Sequence, residues 1–85
     1  MSHRLRTSSE AREIVRWQFQ REQLQVTCVV RDCGNRSFDV VTLPHWNVAG
    51  GAIESFSEPS QALQRHAAIA TALRDTGWTL SAYTR

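Results

Sequence analysis

The sequence contains no lysine, and all ten of its positively charged side chains apart from histidine are arginines. Arginine suits planar, two-pronged recognition of phosphate or carboxylate, but codon bias in a GC-rich genome is the simpler explanation. Residues 1–36 hold seven arginines against four acidic residues, whereas residues 37–85 hold three against four. The basic character is therefore amino-terminal, and a net charge of +2 does not by itself indicate a nucleic-acid-binding protein.

Cysteine is also scarce, since Cys28 and Cys33 are the only two in 85 residues. Extended chain at about 3.3 Å per residue holds their Cα atoms farther apart than the roughly 4.4–6.8 Å of a disulfide. Neither a C-x-x-C nor an H-x-x-x-H spacing occurs, so a zinc site would have to be assembled from scattered His3, His45 and His66 and the thiols. The sequence predicts no disulfide and no metal site.

Long apolar segments are missing as well. The longest uncharged run, residues 40–53, is interrupted by Pro44, His45 and Asn47, and it is shorter than the roughly 20 apolar residues that cross a bilayer. The basic start of the chain is not followed by the continuous apolar segment of a secretion signal. We therefore expect no membrane helix and a cytoplasmic location.

What the sequence does contain is a regular alternation of apolar and polar residues from 14 to 43, which is typical of half-buried β-strands. Apolar residues occupy odd positions up to Phe19 and even positions from Leu24, as a hairpin with an even-numbered loop requires. The predicted tip is Arg21-Glu22, and the predicted pairs are Phe19–Leu24, Trp17–Val26 and Val15–Cys28. A four-residue loop of the same parity is the alternative.

Residues 32–36, with the sequence Asp-Cys-Gly-Asn-Arg, are the clearest turn signal in the chain. A three-residue loop of residues 33–35 continues the apolar face into a third strand, whereas a two-residue loop would bring Asp39 onto that face. We therefore predict the three-residue loop, with Gly34 or Asn35 in the left-handed conformation. The predicted pairs are Val30–Phe38, Cys28–Val40 and Val26–Thr42.

Beyond Pro44, which ends the third strand, the sequence predicts a short fourth strand at Ala52–Phe56 and then a helix. The helix is marked by Ser57 as N-cap, Glu58 and Pro59 in the first turn, and Gly77 at the C-terminal stop. Its apolar stripe comprises Ala62, Leu63, Ile69, Ala70 and Leu73, with His66 near the centre. Alternation at residues 78–83 predicts a short final strand or a tail folded back on the sheet.

The resulting fold is α+β, with two layers: a four-stranded antiparallel sheet and one helix packed on one face, in the order β-β-β-β-α with a possible short C-terminal strand. A chain of 85 residues has room for one core. We therefore divide it into a basic N-terminal arm, residues 1–12, and a single domain, residues 13–85.

No assembled catalytic site is visible in the sequence. The sequence places no carboxylate or cysteine beside His66, which favours a core histidine with one hydrogen-bonded ring nitrogen. Arginines flank Cys33 and favour a reactive thiolate, but the neighbouring Asp32 opposes that effect. The serines lack a nucleophile elbow, and neither G-x-G-x-x-G nor a P-loop occurs. We therefore expect a noncatalytic protein without a cofactor.

The outward face of the predicted sheet carries the candidate binding residues. Its polar side chains are what solvent exposure predicts: Arg16, Gln18, Gln20, Gln25, Thr27 and Arg31. Solvent exposure does not predict the apolar patch beside them, which consists of Val29, Val41 and Leu43, with Trp46 in the adjoining loop. The N-terminal arm, the C-terminal tail or a second copy of the chain is expected to cover it.

Two functions follow as hypotheses. The first is a small protein-interaction domain that self-associates through this patch, as a homodimer, or that binds another protein. The alternative is a single-stranded nucleic-acid-binding domain whose contacts come from Arg4, Arg6, Arg12, Arg16 and Arg31. Four strands followed by a helix is an order that resembles Whirly and PUR-type single-strand-binding domains, in topology and without a shared motif. Outward aromatics for base stacking are scarce, which favours the first hypothesis.

Overall fold

The computed structural model describes residues 11–84. Most of the predicted arm, including Arg4 and Arg6, lies outside the described residues. Within residues 11–84 the chain forms five strands, one α-helix and one short 3-10 helix at Val48–Gly50. The strands are β1 (Arg12–Arg21), β2 (Leu24–Asp32), β3 (Phe38–Pro44), β4 (Ala52–Phe56) and β5 (Thr79–Thr84), and the helix, α1, is Pro59–Asp75.

The five strands form one antiparallel sheet in the order β4-β3-β2-β1-β5. Helix α1 packs on one face of this sheet, which confirms the predicted two-layer α+β fold. The optional C-terminal strand is present as well, since β5 pairs with β1 and forms one edge of the sheet. Among the described residues, no helix is long and apolar enough to cross a bilayer.

The β1–β2 hairpin turns one residue later than predicted, because Arg21 pairs with Leu24 and the loop is Glu22-Gln23. The three predicted pairs are therefore wrong, and the observed pairs are Phe19–Val26, Trp17–Cys28 and Val15–Val30. Glu22 takes a positive φ of 57°, and its carbonyl accepts a hydrogen bond from the Gln20 side chain at 3.1 Å. Because the register slips by two residues, each side chain keeps its predicted face.

A β-bulge interrupts β1 between the pairs Glu13–Arg31 and Val15–Val30. The extra residue, Ile14, packs against the same core as Val15. The alternation of faces therefore reverses at this point. Glu13 consequently lies on the outer face with the even-numbered residues of β1 and the β2 residue Arg31.

The β2–β3 loop spans residues 33–37, two residues more than predicted, because Asp32 pairs with Phe38. The predicted pairs are again wrong by two residues, and the observed ones are Val30–Val40, Cys28–Thr42 and Val26–Pro44. Gly34, Asn35 and Arg36 all have positive φ, at 80°, 52° and 61°, and Asn35-Arg36 meets the φ requirement of a type I′ turn. The Asp32 carboxylate accepts a hydrogen bond from the Gly34 N–H at 3.0 Å and holds the wider loop.

The core lies between α1 and the inner face of the sheet. The helix contributes Ala62, His66 and Ala70, each at most 1% exposed. The sheet contributes the buried residues Val15, Phe19, Val26, Cys28, Val30 and Val40. Leu63, which was predicted on the helix stripe, is 43% exposed. The buried stripe is therefore narrower than predicted, and it consists of positions four apart along the helix, Ala62, His66 and Ala70.

The two ends of α1 differ in how well the sequence predicted them. Glu58 and not Ser57 occupies the N-cap, and no side chain makes a capping hydrogen bond there. Pro59 opens the helix, at a position where its missing N–H costs nothing. At the C-terminus the predicted stop is confirmed, because Gly77 takes a left-handed φ of 95°.

Candidate interaction surface on the outer sheet face

An apolar row crosses the outer face of the sheet. Strand pairing places Val29 of β2 beside Val41 of β3, and Val41 beside Ile53 of β4. Exposure rises along the row toward the β4 edge, from 5% at Val29 to 61% at Ile53. We call these three residues the apolar row. Beyond Val29, the next strand contributes Arg16 of β1, which pairs with Val29.

A groove of about 390 Å³ lies over this part of the outer face. Its apolar floor is formed by Val29, Val41 and Leu43, and its polar lining by Glu13, Arg16, Thr27, Arg31 and His45. Thr27 is only 4% exposed, and its hydroxyl lies 2.6 Å from His45 Nε2. Since the polar groups of that pair satisfy each other, the middle of the groove offers apolar contact in preference to hydrogen bonding.

The charged residues at one end of the groove form ion pairs across the outer face. Arg16 binds the Glu13 carboxylate in a two-pronged arrangement, with N–O distances of 3.0 Å and 2.6 Å. This hydrogen bond lowers the pKa of Glu13 and raises that of Arg16. The β1 bulge is the cause of the contact, because it brings Glu13 to the same face as Arg16.

A second pair on this face joins Arg31 of β2 to Asp39 of β3, with an N–O distance of 3.8 Å. Asp39 also accepts a hydrogen bond from the Ser55 hydroxyl of β4 at 2.7 Å. The Nε atom of Arg31 is buried and has no hydrogen-bond partner among residues 11–84. Arg12 lies beside Asp32 at 3.6 Å. The three described arginines of the nucleic-acid hypothesis therefore each have a carboxylate neighbour.

Trp46 lies at the end of the sheet, outside the groove. Its ring stacks on that of Trp78, with centroids 5.9 Å apart and planes inclined by 14°. Trp46 is nevertheless 53% exposed. The β1–β2 turn ends at the same place, where Leu24 is 40% exposed. Leu24 and Trp46 line a second, smaller pocket at this end of the sheet, apart from the groove.

The titratable groups of the core face away from this surface. His66 Nε2 lies 2.9 Å from the Cys28 carbonyl oxygen, and because a carbonyl only accepts, the Nε2–H group donates this hydrogen bond. Burial lowers the pKa of His66 and raises that of Cys28 to about 11. The pKa of Cys33 is also raised, first by burial and then by Asp39. Neither thiol is activated as a nucleophile.

The two described histidines, His45 and His66, lie on opposite faces of the sheet. Over residues 11–84, no group of three or more histidine, cysteine, aspartate and glutamate side chains is arranged to hold a metal ion. His45 is engaged with Thr27 on the outer face, while His66 lies on the opposite side of the sheet in the core. His3 lies outside the described residues.

The structure brings Val29, Val41 and Leu43 into one groove and places Trp46 outside it, in a second pocket at the end of the sheet. The sequence analysis missed Ile53, which β3–β4 pairing aligns with Val41. The alternation of apolar and polar residues within β4 was the available signal, but the strand register is needed to assign Ile53 to the outer face. Comparisons of the chain with protein-family models, with curated proteins and with solved structures find no match.

Proposed function

We propose that the protein is a small noncatalytic interaction domain that self-associates through the outer face of its sheet, two copies meeting over the apolar row and Leu43. The observation that carries the proposal is the continuous alignment of Val29, Val41 and Ile53 across three neighbouring strands. Apolar surface removed from water contributes roughly 25 cal/mol per Å². A partner that covers this row removes its apolar surface from water, and that burial stabilises the complex.

The charge arrangement supports a second copy as the partner. Glu13 pairs with Arg16, and Arg31 pairs with Asp39, so the charged rim of the groove is balanced within each copy. Two identical faces can therefore approach without net like-charge repulsion. A two-fold interface of this kind needs a surface that is complementary to itself.

The size of the face is also sufficient. Five strands about 4.8 Å apart and about seven residues long, at about 3.3 Å per residue, present a projected area of roughly 550 Å². Each partner in an interface of standard size buries about 800 Å² of accessible surface. Side-chain relief makes accessible area larger than projected area. The face therefore has the dimensions of a specific interface.

The nucleic-acid alternative is less well supported. A phosphate that binds Arg12, Arg16 or Arg31 must compete with the carboxylate already beside each guanidinium. The pair formed by Arg16 and Glu13 is the tightest of them, because two hydrogen bonds join the groups. Trp46 and Trp78 also stack on each other, and Trp17 lies against His66 on the helix side of the sheet, which leaves fewer ring faces for bases.

Replacement of Val41 by glutamate is expected to separate the two copies and leave each one folded. Val41 is at the centre of the apolar row, so the substitution places a carboxylate in the interface of both copies. An uncompensated buried charge costs about 3–5 kcal/mol, which corresponds to at least a hundredfold rise in the dimer Kd. Sedimentation equilibrium at micromolar concentration measures the mass, and far-UV circular dichroism checks the fold.

Gln64→Glu is the matched control, because it adds the same charge on the solvent side of α1, where Gln64 is exposed. It should leave the mass of the assembly unchanged. A wild-type protein that sediments as a single chain at high concentration would contradict self-association.

For nucleic acid we expect no salt-dependent binding of single-stranded DNA by the wild-type chain. The check is a fluorescence-anisotropy titration of labelled oligonucleotide at low and moderate salt. Binding that weakens steeply with salt would support the alternative. Joint replacement of Arg4, Arg6 and Arg12 by glutamine should then flatten that dependence, because fewer counterions are released.

A further inference from the structure

Within residues 11–84, the β4 edge of the sheet lacks the usual protection against pairing with another strand. Among the described residues, β4 pairs only with β3, in an unbroken register from Thr42–Ala52 to Phe38–Phe56. Protein edges are usually guarded by charges, prolines or bulges. The single charged residue of β4, Glu54, is held by Arg65 of α1 at 2.7 Å and 3.3 Å and is therefore directed to the helix layer.

The opposite edge, β5, is different. A bulge interrupts its pairing with β1 between Gln18–Ala82 and Phe19–Leu80. The extra residue, Ser81, donates its hydroxyl hydrogen to the Gln18 carbonyl at 3.2 Å. Bulges increase local twist and disfavour further pairing. The two edges of one sheet therefore differ, and β4 is the one suited to accept a strand.

We propose that a second copy of the chain occupies this edge, with two β4 strands paired antiparallel about a two-fold axis at Ile53. The inference rests on the proposed self-association and adds an edge-to-edge contact to the face-to-face one. Two five-stranded sheets become one continuous sheet. The apolar row of one copy, which ends at the exposed Ile53, continues directly into Ile53, Val41 and Val29 of the other.

The axis at Ile53 is preferred on side-chain grounds. It sets Ile53 opposite itself and Ala52 opposite Glu54, so that no like charges face each other. An axis at Glu54 would set two carboxylates directly opposite, which is destabilising. Five residues of edge bury less surface than the sheet face does. The edge contact is therefore the weaker of the two and forms as the protein concentration rises.

Disulfide trapping tests the register directly. In a Val41→Glu, Cys33→Ser background, which dissolves the face contact and removes the partly exposed native thiol, Ile53→Cys brings two thiols together at the axis. Opposed Cβ atoms lie about 4.5–5.5 Å apart, which is close to disulfide geometry. Ser55→Cys is the matched control, since its thiols would lie about 13 Å apart along the strands, at about 3.3 Å per residue.

We expect Ile53→Cys to form a covalent dimer at least tenfold faster than Ser55→Cys under mild oxidation, as measured on non-reducing gels. Equal rates, or faster linkage through Ser55→Cys, would overturn the β4 pairing. The face contact is not needed for this result. Its own failure is recognised separately, because Val41→Glu alone would then leave the mass at low concentration unchanged.

A second measurement keeps the test independent of oxidation. In the Val41→Glu background, in which the face contact is already dissolved, sedimentation at increasing concentration should show the mass rising from one copy to two. In that background Ile53→Lys should abolish the rise, because a lysine at an edge strand disfavours pairing. Thr84→Lys, which adds the same charge on the same outer row at the β5 edge, should not. An identical rise in both lysine variants would refute the proposed edge.

Discussion

Replacement of Trp17 by alanine is expected to lower the free energy of unfolding by about 3 kcal/mol. The Trp17 ring lies on the inner face of β1, with its centroid 4.3 Å from the His66 ring and 6.2–6.3 Å from those of Phe19 and Tyr83. Its removal leaves a void beside the helix. The total stability of a domain this size is only about 4–13 kcal/mol, so the loss is a large fraction.

The indole N–H of Trp17 is buried without a hydrogen-bond partner among residues 11–84. The expected loss therefore comes from packing and apolar burial and not from a broken hydrogen bond. Trp17 is partly exposed, and for that reason the value is at the lower end of the range for buried aromatic truncations.

Urea denaturation followed by circular dichroism at one fixed protein concentration measures the change. Trp46→Ala is the control, because it removes the same side chain from a site that is 53% exposed. It should cost less than about 1 kcal/mol. Similar losses in the two variants would show that Trp17 does not pack in the core as described.

The second large effect is a loss of stability on acidification, caused by His66. This side chain is 1% exposed, and burial lowers its pKa from the ordinary value of 6.5. The folded protein therefore binds a proton less readily than the unfolded chain does. The stabilisation that neutral His66 contributes to the fold is fully present above about pH 6.5, and it is lost as the pH falls toward the lowered pKa.

Titration of a single group changes the free energy of unfolding by at most about 1.36 kcal/mol per pH unit. His66→Gln removes the titration while keeping an N–H that can donate to the Cys28 carbonyl. We expect the variant to be less stable than wild type at pH 7, because the contact with Trp17 is lost, and the difference to shrink between pH 7 and pH 5.

Urea denaturation at several pH values gives this difference. Glu13 and Glu54, whose pKa values are lowered by Arg16 and Arg65, destabilise the fold in acid only toward and below their ordinary value of 4.5. They do so in both proteins, so their effect cancels in the comparison. A difference that stays constant from pH 7 to pH 5 would mean that His66 does not titrate differently in the folded and unfolded states.

Local alternation in the sequence is enough to assign the apolar face of each central strand. Alternation with period two is a local property, and it correctly assigned Phe19, Val30 and Val40 to the core. The helical spacing likewise placed His66 in the core, with one ring nitrogen hydrogen-bonded. These assignments need no knowledge of which residues are paired.

The pairing of the strands, by contrast, depends on the loops and on packing between elements. Both hairpin registers differ from the prediction by two residues, because a slip of two keeps every side chain on its face and leaves the hydrophobic pattern unchanged. The loops select the register, through the positive φ values of Glu22 and of Asn35-Arg36. The same pairing creates the candidate surface, since it aligns Val41 with Ile53.

The contact between Glu13 and Arg16 also required the fold. Strict alternation would place these two residues on opposite faces, and the bulge at Ile14 brings them together. The bulge adds one residue to the strand, and it is stabilised by packing because it directs both Ile14 and Val15 to the core. That choice depends on the partner strand and the helix above it, neither of which is encoded in the local alternation.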